Sequence, residues 1–245
     1  PWKALEERGF AFRRGNLHGM MGRSGSCKST AILDYLVRTG LPSLYFSADT
    51  DVSDQMPREM AARSGHSVKD VTQAIDNGCE DLYEEYTRAS SIEWCFESSP
   101  TVEEIFSEVQ AYVEKYDAYP EIIVVDVLLN VEVGNDDNGG LRYVEKQLHR
   151  LARLTRAAVI VVHHTREVGD SRFPQAKSEI DNKVDKLLER ILTVAIDGNA
   201  WRCAPVKNRN GWCNSDGSSY VQFEIDPSRA KLSEWTQYSP YRSAL

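Results

Sequence analysis

Apolar residues follow two rhythms along the first two thirds of the chain. Short, nearly unbroken runs at 17–21, 44–48, 122–127 and 158–162 predict buried strands. Between them, apolar positions recur every three or four residues, the spacing of one helix face. Ile32, Leu33, Leu36 and Val37 form one such stripe over 29–38, stopped by Gly40 and Pro42. Thr101 and Glu104 make a capping-box pattern ahead of Ile105, Val109, Tyr112 and Tyr116. Leu141, Val144, Leu148, Leu151 and Leu154 mark a third helix. Residues 53–64 also read as helical, and 66–95 as mixed helical and irregular. Helices alternating with apolar strands predict a mostly parallel sheet covered on both faces. The later runs at 191–196, 201–206 and 220–225 are joined by turns containing Gly and Asn, which predicts an antiparallel extension.

Composition leaves this picture intact. The 245 residues are 41% hydrophobic and 27% charged, the balance of an ordinary globular chain. The pattern divides into a linker or strap at 1–16 (Leu5, Phe10, Phe12), one α/β domain at 17–235 and a tail at 236–245. No apolar run approaches the ~18 residues of a membrane span, and Pro1-Trp2-Lys3 is not the start of a signal peptide. Five cysteines without a CxxC pair support neither a zinc site nor a disulfide framework, so the expected location is the cytoplasm. Lys plus Arg is 29 and Asp plus Glu is 37, a net −8. That argues against a surface that grips nucleic acid all round, but leaves room for a local basic loop.

One segment carries specific chemistry. Gly22, Arg23, Ser24, Gly25, Ser26, Cys27, Lys28, Ser29 and Thr30 lie between a predicted strand and a predicted helix. There, backbone N–H groups and the positive end of the helix can wrap phosphates. Lys28 is placed to reach the β- and γ-phosphates of ATP, and Ser29 to ligate Mg2+. The GxxxxGK[ST] pattern has a glycine where this chain has Cys27. A side chain there can crowd the phosphates or strain the backbone, can be tolerated because the N–H does the binding, or can act as a redox-sensitive thiol.

Further candidates lie at strand ends, where open α/β sheets bind ligands. Asp126 closes the run at 122–127 and can hold magnesium beside Ser29. Asp49 ends the run at 44–48 and can orient an attacking water, with Asp51 as the alternative. His163 and His164 point to opposite faces if they continue a strand, so only one can meet the γ-phosphate. His164 is preferred for that role. Lys207 and Arg209, two apart at a turn, offer either a solvated hairpin tip or a pair of cations for a neighbouring subunit's phosphates.

With these residues in view, the chain resembles the RecA-like ATPase core of DnaB-type replicative hexameric helicases, from about 16 to 234. The matching segments are GRSGSCKST, the FSAD strand, TVEEI, the IIVVD strand and KNRNG before FEIDP, in the family's order. VVHHT is similar to the small RepA-type plasmid helicases, with His164 where the DnaB group commonly has glutamine. The resemblance implies a RecA-like P-loop NTPase fold, Mg2+ with ATP as substrate, Asp49 as the catalytic carboxylate, and Lys207 and Arg209 acting in trans. It implies a ring of identical subunits, a hexamer, and single-stranded DNA as partner, with a loader or primase as a further one. Cys27 and Asp49 depart from the family's glycine and glutamate, and a primase-binding N-terminal domain has no counterpart in the 245 residues.

DNA contacts in such rings come from loops facing the channel. Here these are 132–142, with Arg142, and 166–180, with Arg166, Arg172 and Lys177. The function implied is an ATP-hydrolysing DNA helicase or translocase of replication. The alternatives are a RecA-class recombinase or recombination mediator, and a nucleotide-binding ring whose hydrolysis Cys27 has blunted.

Overall fold

The apolar runs become neighbouring strands of one sheet. The computed structural model describes residues 1–132 and 137–235. Strands β1 (Leu17–Gly22), β2 (Ser43–Ser47), β3 (Ile92–Cys95), β4 (Ile122–Asp126), β5 (Ala158–His164) and β6 (Arg190–Asp197) run parallel. Strands β7 (Ala200–Asn208), β8 (Val221–Asp226) and β9 (Lys231–Glu234) continue the sheet antiparallel. The spatial order is β3-β2-β4-β5-β1-β6-β7-β8-β9.

The inner parallel strands β1, β2, β4 and β5 are buried on both faces, which is why their sequences are nearly continuous apolar runs. Along β4, Ile123 and Val125 face one core while Ile122 and Val124 face the other. The first core is closed by helices α6 (Val102–Tyr116) and α7 (Asp137–Thr155) through Ile105, Val109, Val144 and Leu148. The second is closed by α2 (Lys28–Thr39), with Ile32, Leu33 and Leu36. Trp2, Leu5 and Phe10, in and around the one-turn helix α1 (Lys3–Glu6), bury themselves in this second core beside Trp201 and Phe223. Helices α3 (Val52–Ser64), α4 (Val68–Asp76) and α5 (Glu80–Ala89) follow β2, and Glu59 ties them to the sheet edge. Its buried carboxylate accepts from Tyr86 Oη (2.8 Å), Ser90 Oγ (2.7 Å) and Trp94 Nε1 (2.9 Å).

Helix ends follow local chemistry. Thr101 and Glu104 form the anticipated capping box at α6. Gly40 ends α2 in the left-handed region, at φ 59°.

Several boundaries differ from the sequence expectation. β3 emerges from the segment read as mixed, and β9 was not anticipated; both are short edge strands with little apolar patterning. β5 continues through His164, so both histidines belong to the strand. The second half of the expected 132–142 loop is helix, because α7 starts at Asp137, and Arg142 is an exposed position on that helix. Residues 133–136 and the tail at 236–245 lie outside the described residues.

Candidate nucleotide site

β1 delivers the chain into the phosphate loop, and α2 takes it out. No side chain fits at Gly22, since a Cβ there would sit 2.6 Å from Ser26 Oγ and 2.8 Å from the Val194 carbonyl. Trp201 Nε1 donates to the Ser26 carbonyl at 3.0 Å and fixes the loop from the sheet side. Cys27 caps α2 with φ 58° and ψ 33°. That left-handed conformation suits glycine and costs an L-residue about 1 kcal/mol, so of the readings of Cys27, backbone strain has a structural basis. Burial pushes the Cys27 thiol up, against the pull of Lys28, and so disfavours the thiolate a redox role needs.

Lys28 is nearly buried. Its Nζ donates to the carbonyls of Gly22 (3.0 Å) and Arg23 (2.8 Å). Burial lowers its pKa to about 8, opposed chiefly by the carboxylate of Asp126. Asp126, at the end of β4, accepts a hydrogen bond from Tyr45 Oη at 2.6 Å and another from the Ser29 hydroxyl. Burial raises the Asp126 pKa, and these two donors with Lys28 oppose the rise. A hydroxyl and a carboxylate in contact form a hard-oxygen pair suited to magnesium. Among the described residues, no group of three or more His, Cys, Asp or Glu could hold a metal.

The two acids after β2 have separate jobs. Asp51 caps α3, accepting from Ser53 N (2.9 Å) and Ser53 Oγ (2.6 Å). Asp49 faces the cleft and accepts from Asn130 Nδ2 at 2.7 Å. The histidines also divide. His163 is buried, donates from Nε2 to the Asp181 carbonyl at 3.1 Å, and is held by burial to a pKa of about 4. His164 is half-buried and lines the cleft, its pKa lowered first by burial and then by the nearby Lys28 charge.

These side chains surround a cavity of about 230 Å³, with Lys28, Ser29, Asp49, Asp126 and His164 in its walls. The loop residues Ser24, Gly25, Ser26, Cys27 and Thr30 line it as well. Two contributors have no sequence signal of their own. Arg58, on α3, adds a second cation to the wall, and Asn130, in the 3-10 turn after β4, steadies Asp49.

The cations expected elsewhere are not gathered there. Lys207 is half-buried, and its Nζ donates to the carbonyls of Asp185 and Lys186, the latter at 3.2 Å. Arg209 is exposed, and among the described residues its guanidinium has no hydrogen bond or ion pair. The two therefore do not stand as an equivalent pair. Asn208 is level with Arg190 on β6, and Arg190 with His18 on β1. Arg209 thus sits at the start of β1, roughly 13 Å or more from the phosphate loop at its other end. In the 166–180 loop, Arg166 is exposed. Arg172 is paired with Asp170 at 2.7 Å, and Lys177 lies 3.4 Å from Asp185. No helix of the described residues is long and apolar enough to cross a membrane.

Comparison with known proteins agrees with this geometry, although no family model matches the chain. The chain is 32% identical over 235 residues to the Gene 65 protein of Mycobacterium phage L5, covering 91% of this chain and 88% of that one. It is 30% identical over 214 residues to the Gene 65 protein of Mycobacterium phage D29, covering 82% and 91%. Among solved structures, the ATPase domain of G40P superposes with a TM-score of 0.80 at 14% identity, covering 96% of this chain and 90% of that one. A DnaB-like replicative helicase, in a structure that addresses its interactions with primase, gives 0.79 at 14% identity; the match covers 96% of this chain and 61% of that one. The chain belongs to the family of these mycobacteriophage Gene 65 proteins, and its fold is the RecA-like ATPase core of the DnaB type.

Proposed function

We propose that this protein is an ATP-hydrolysing motor of the DnaB-like helicase type, translocating on single-stranded DNA during replication. The observation that carries the reading is the convergence of Lys28, Ser29, Asp49, Asp126 and His164 on one cleft at the strand ends. Lys28 and the loop N–H groups hold the triphosphate. Mg2+ held by Ser29 and Asp126 would offset the charge on the β- and γ-phosphates. Asp49, fixed by Asn130, orients the attacking water and accepts its proton. His164, kept neutral near pH 7 by burial, donates to the γ-phosphate. Arg209 completes the site of an adjacent copy, stabilising charge in the transition state. The working form is a ring of identical subunits, six by the DnaB precedent, in the cytoplasm. The central strand of DNA contacts Arg142, Arg166, Arg172 and Lys177, and a loader or primase serves as an accessory partner. The strained Cys27 favours one second reading, a nucleotide-binding ring with slow hydrolysis.

ATPase assays with and without single-stranded DNA test this. Hydrolysis should be DNA-stimulated, and Lys28→Ala and Arg209→Ala should each lose it, about 1000-fold for the arginine. Mixing the two inactive variants should restore activity, because the interface between an Arg209→Ala site and a Lys28→Ala neighbour is intact. Normal hydrolysis by Arg209→Ala, or no recovery on mixing, would overturn the shared site.

A further inference from the structure

Arg23, the residue after Gly22, reaches out of the phosphate loop. Its Nη2 donates to two successive carbonyls of the segment after β5, those of Val168 and Gly169, the latter at 2.9 Å. Gly169 has φ +69°, a conformation open to glycine, and this lets both carbonyls face one donor. The segment is anchored separately at both ends. At its start, Arg166 N donates to the Glu179 carbonyl at 2.8 Å, and Thr165 bridges Ile180. At its far end, Arg202 Nη1 donates to the Arg172 carbonyl at 2.7 Å and its guanidinium lies 4.9 Å from the Phe173 ring centre, while Thr193 Oγ1 donates to the Gln175 carbonyl at 2.6 Å. Among the described residues, no hydrogen bond other than those of Arg23 holds the carbonyls of 168 and 169.

The other end of Arg23 is tied to Lys28. Its carbonyl accepts from Lys28 Nζ at 2.8 Å and from Ser26 Oγ at 2.8 Å. An ammonium has three donors, and here two go to the Gly22 and Arg23 carbonyls and the third faces Ser26 Oγ at 3.5 Å. Phosphates entering the loop compete for those same protons with a full negative charge, which a neutral carbonyl cannot match.

We infer that Arg23 is a positioning residue that links nucleotide occupancy to the segment 166–176. In this role, binding draws Lys28 from the Arg23 carbonyl, and the Arg23 backbone shift releases or re-aims the carbonyls of 168 and 169. Arg166 and Arg172 ride on this segment, so their placement changes with the nucleotide. The inference rests on the nucleotide site proposed above.

Calorimetry with MgADP and with Mg-ATPγS first establishes binding by the full chain. Brief trypsin digestion, with fragments identified by mass, then gives the rates of cleavage after Arg166 and after Arg172 with and without saturating nucleotide. In the wild type, cleavage after Arg166 should rise at least threefold on binding. Arg23→Ala, its own binding measured by calorimetry, should be cut fast there without nucleotide and respond no further, and Arg23→Lys should recover part of the response. Arg202→Ala frees only the far anchor; it should speed cleavage after Arg172 and keep the nucleotide response after Arg166. Wild-type binding with unchanged cleavage after Arg166 overturns the link alone, as does a full nucleotide response in folded Arg23→Ala. Absence of nucleotide binding by the wild type removes the site and the link together.

Discussion

Asn130 donates its side-chain amide to Asp49, Nδ2 to Oδ1 at 2.7 Å, across the mouth of the cleft. Asn130 belongs to the turn that follows β4, and Asp49 to the turn that follows β2. The strand that carries Asp126 therefore also leads into the residue that orients Asp49 at the end of its neighbour. Removing that bond leaves Asp49 free to turn into solvent, where it is already exposed. Asn130→Ala should lower kcat about tenfold to a hundredfold, with ATP affinity within about twofold of wild type. Steady-state kinetics beside direct binding measurements check this; equal losses in both would indicate a general disturbance of the cleft.

Glycine at position 27 should relax the start of α2. Cys27→Gly is expected to raise stability to urea by up to about 1 kcal/mol and to leave hydrolysis equal or faster. Cys27→Val, with a branched side chain in the same left-handed conformation, should move both in the opposite direction. A glycine variant less stable than wild type would remove strain as the account of this residue.

Nucleotide binding should change the protonation of Lys28. In the folded protein it titrates near 8, against 10.5 ordinarily, because burial penalises its charged form. Between those values the unfolded chain keeps a proton that the folded one has lost, so this group adds stability as pH rises through that window. A bound triphosphate favours the charged amine and reverses the shift. At pH 8.5, binding should take up a fraction of a proton, and affinity should fall as pH rises further. Calorimetry in two buffers of different ionisation enthalpy measures the uptake, and Lys28→Arg should abolish it.

Acid should weaken the sheet through His163. Its pKa of about 4 lies below the ordinary 6.5 because burial opposes charge. As pH falls from 6.5 toward 4, the unfolded chain binds a proton that the folded protein excludes, and stability is lost over that window. The loss from this residue reaches about 3 kcal/mol. His18, held near 3 by burial, extends it downward. His163→Asn, which keeps a donor for the Asp181 carbonyl, should flatten the pH dependence of the urea midpoint between 6.5 and 4. An unchanged slope would assign the acid sensitivity to other groups.

What could be read from the sequence was what local pattern determines. The strand, loop and helix around 22–30 depend on contiguous residues, the place of Asp126 on the apolar run before it, and the α6 cap on Thr101 and Glu104, so each of these structures was legible. Asn130 and Arg58 were not, because their roles arise only when separate turns and helices meet over the strand ends. Lys207 looked like the twin of Arg209 by spacing, but the carbonyls that engage it come from positions 185 and 186, a fold-level encounter. Asp51 caps α3 through Ser53 while Asp49 lines the cleft, a division that depends on where the helix begins. β3 and β9 escaped notice because four-residue edge strands bury too little to leave a pattern.

The antiparallel turn of the sheet after β6 gives the molecule two unlike poles. The reversal at β7 carries Arg209 to the end of the sheet opposite the phosphate cleft. A two-fold interface is reciprocal, so two antiparallel copies can each set Arg209 beside the other's cleft, and the assembly then stops at two. A head-to-tail contact, in which each copy gives with one pole and receives with the other, goes on past two. Such an arrangement either closes on itself or grows as a helix, and the rotation per copy decides which.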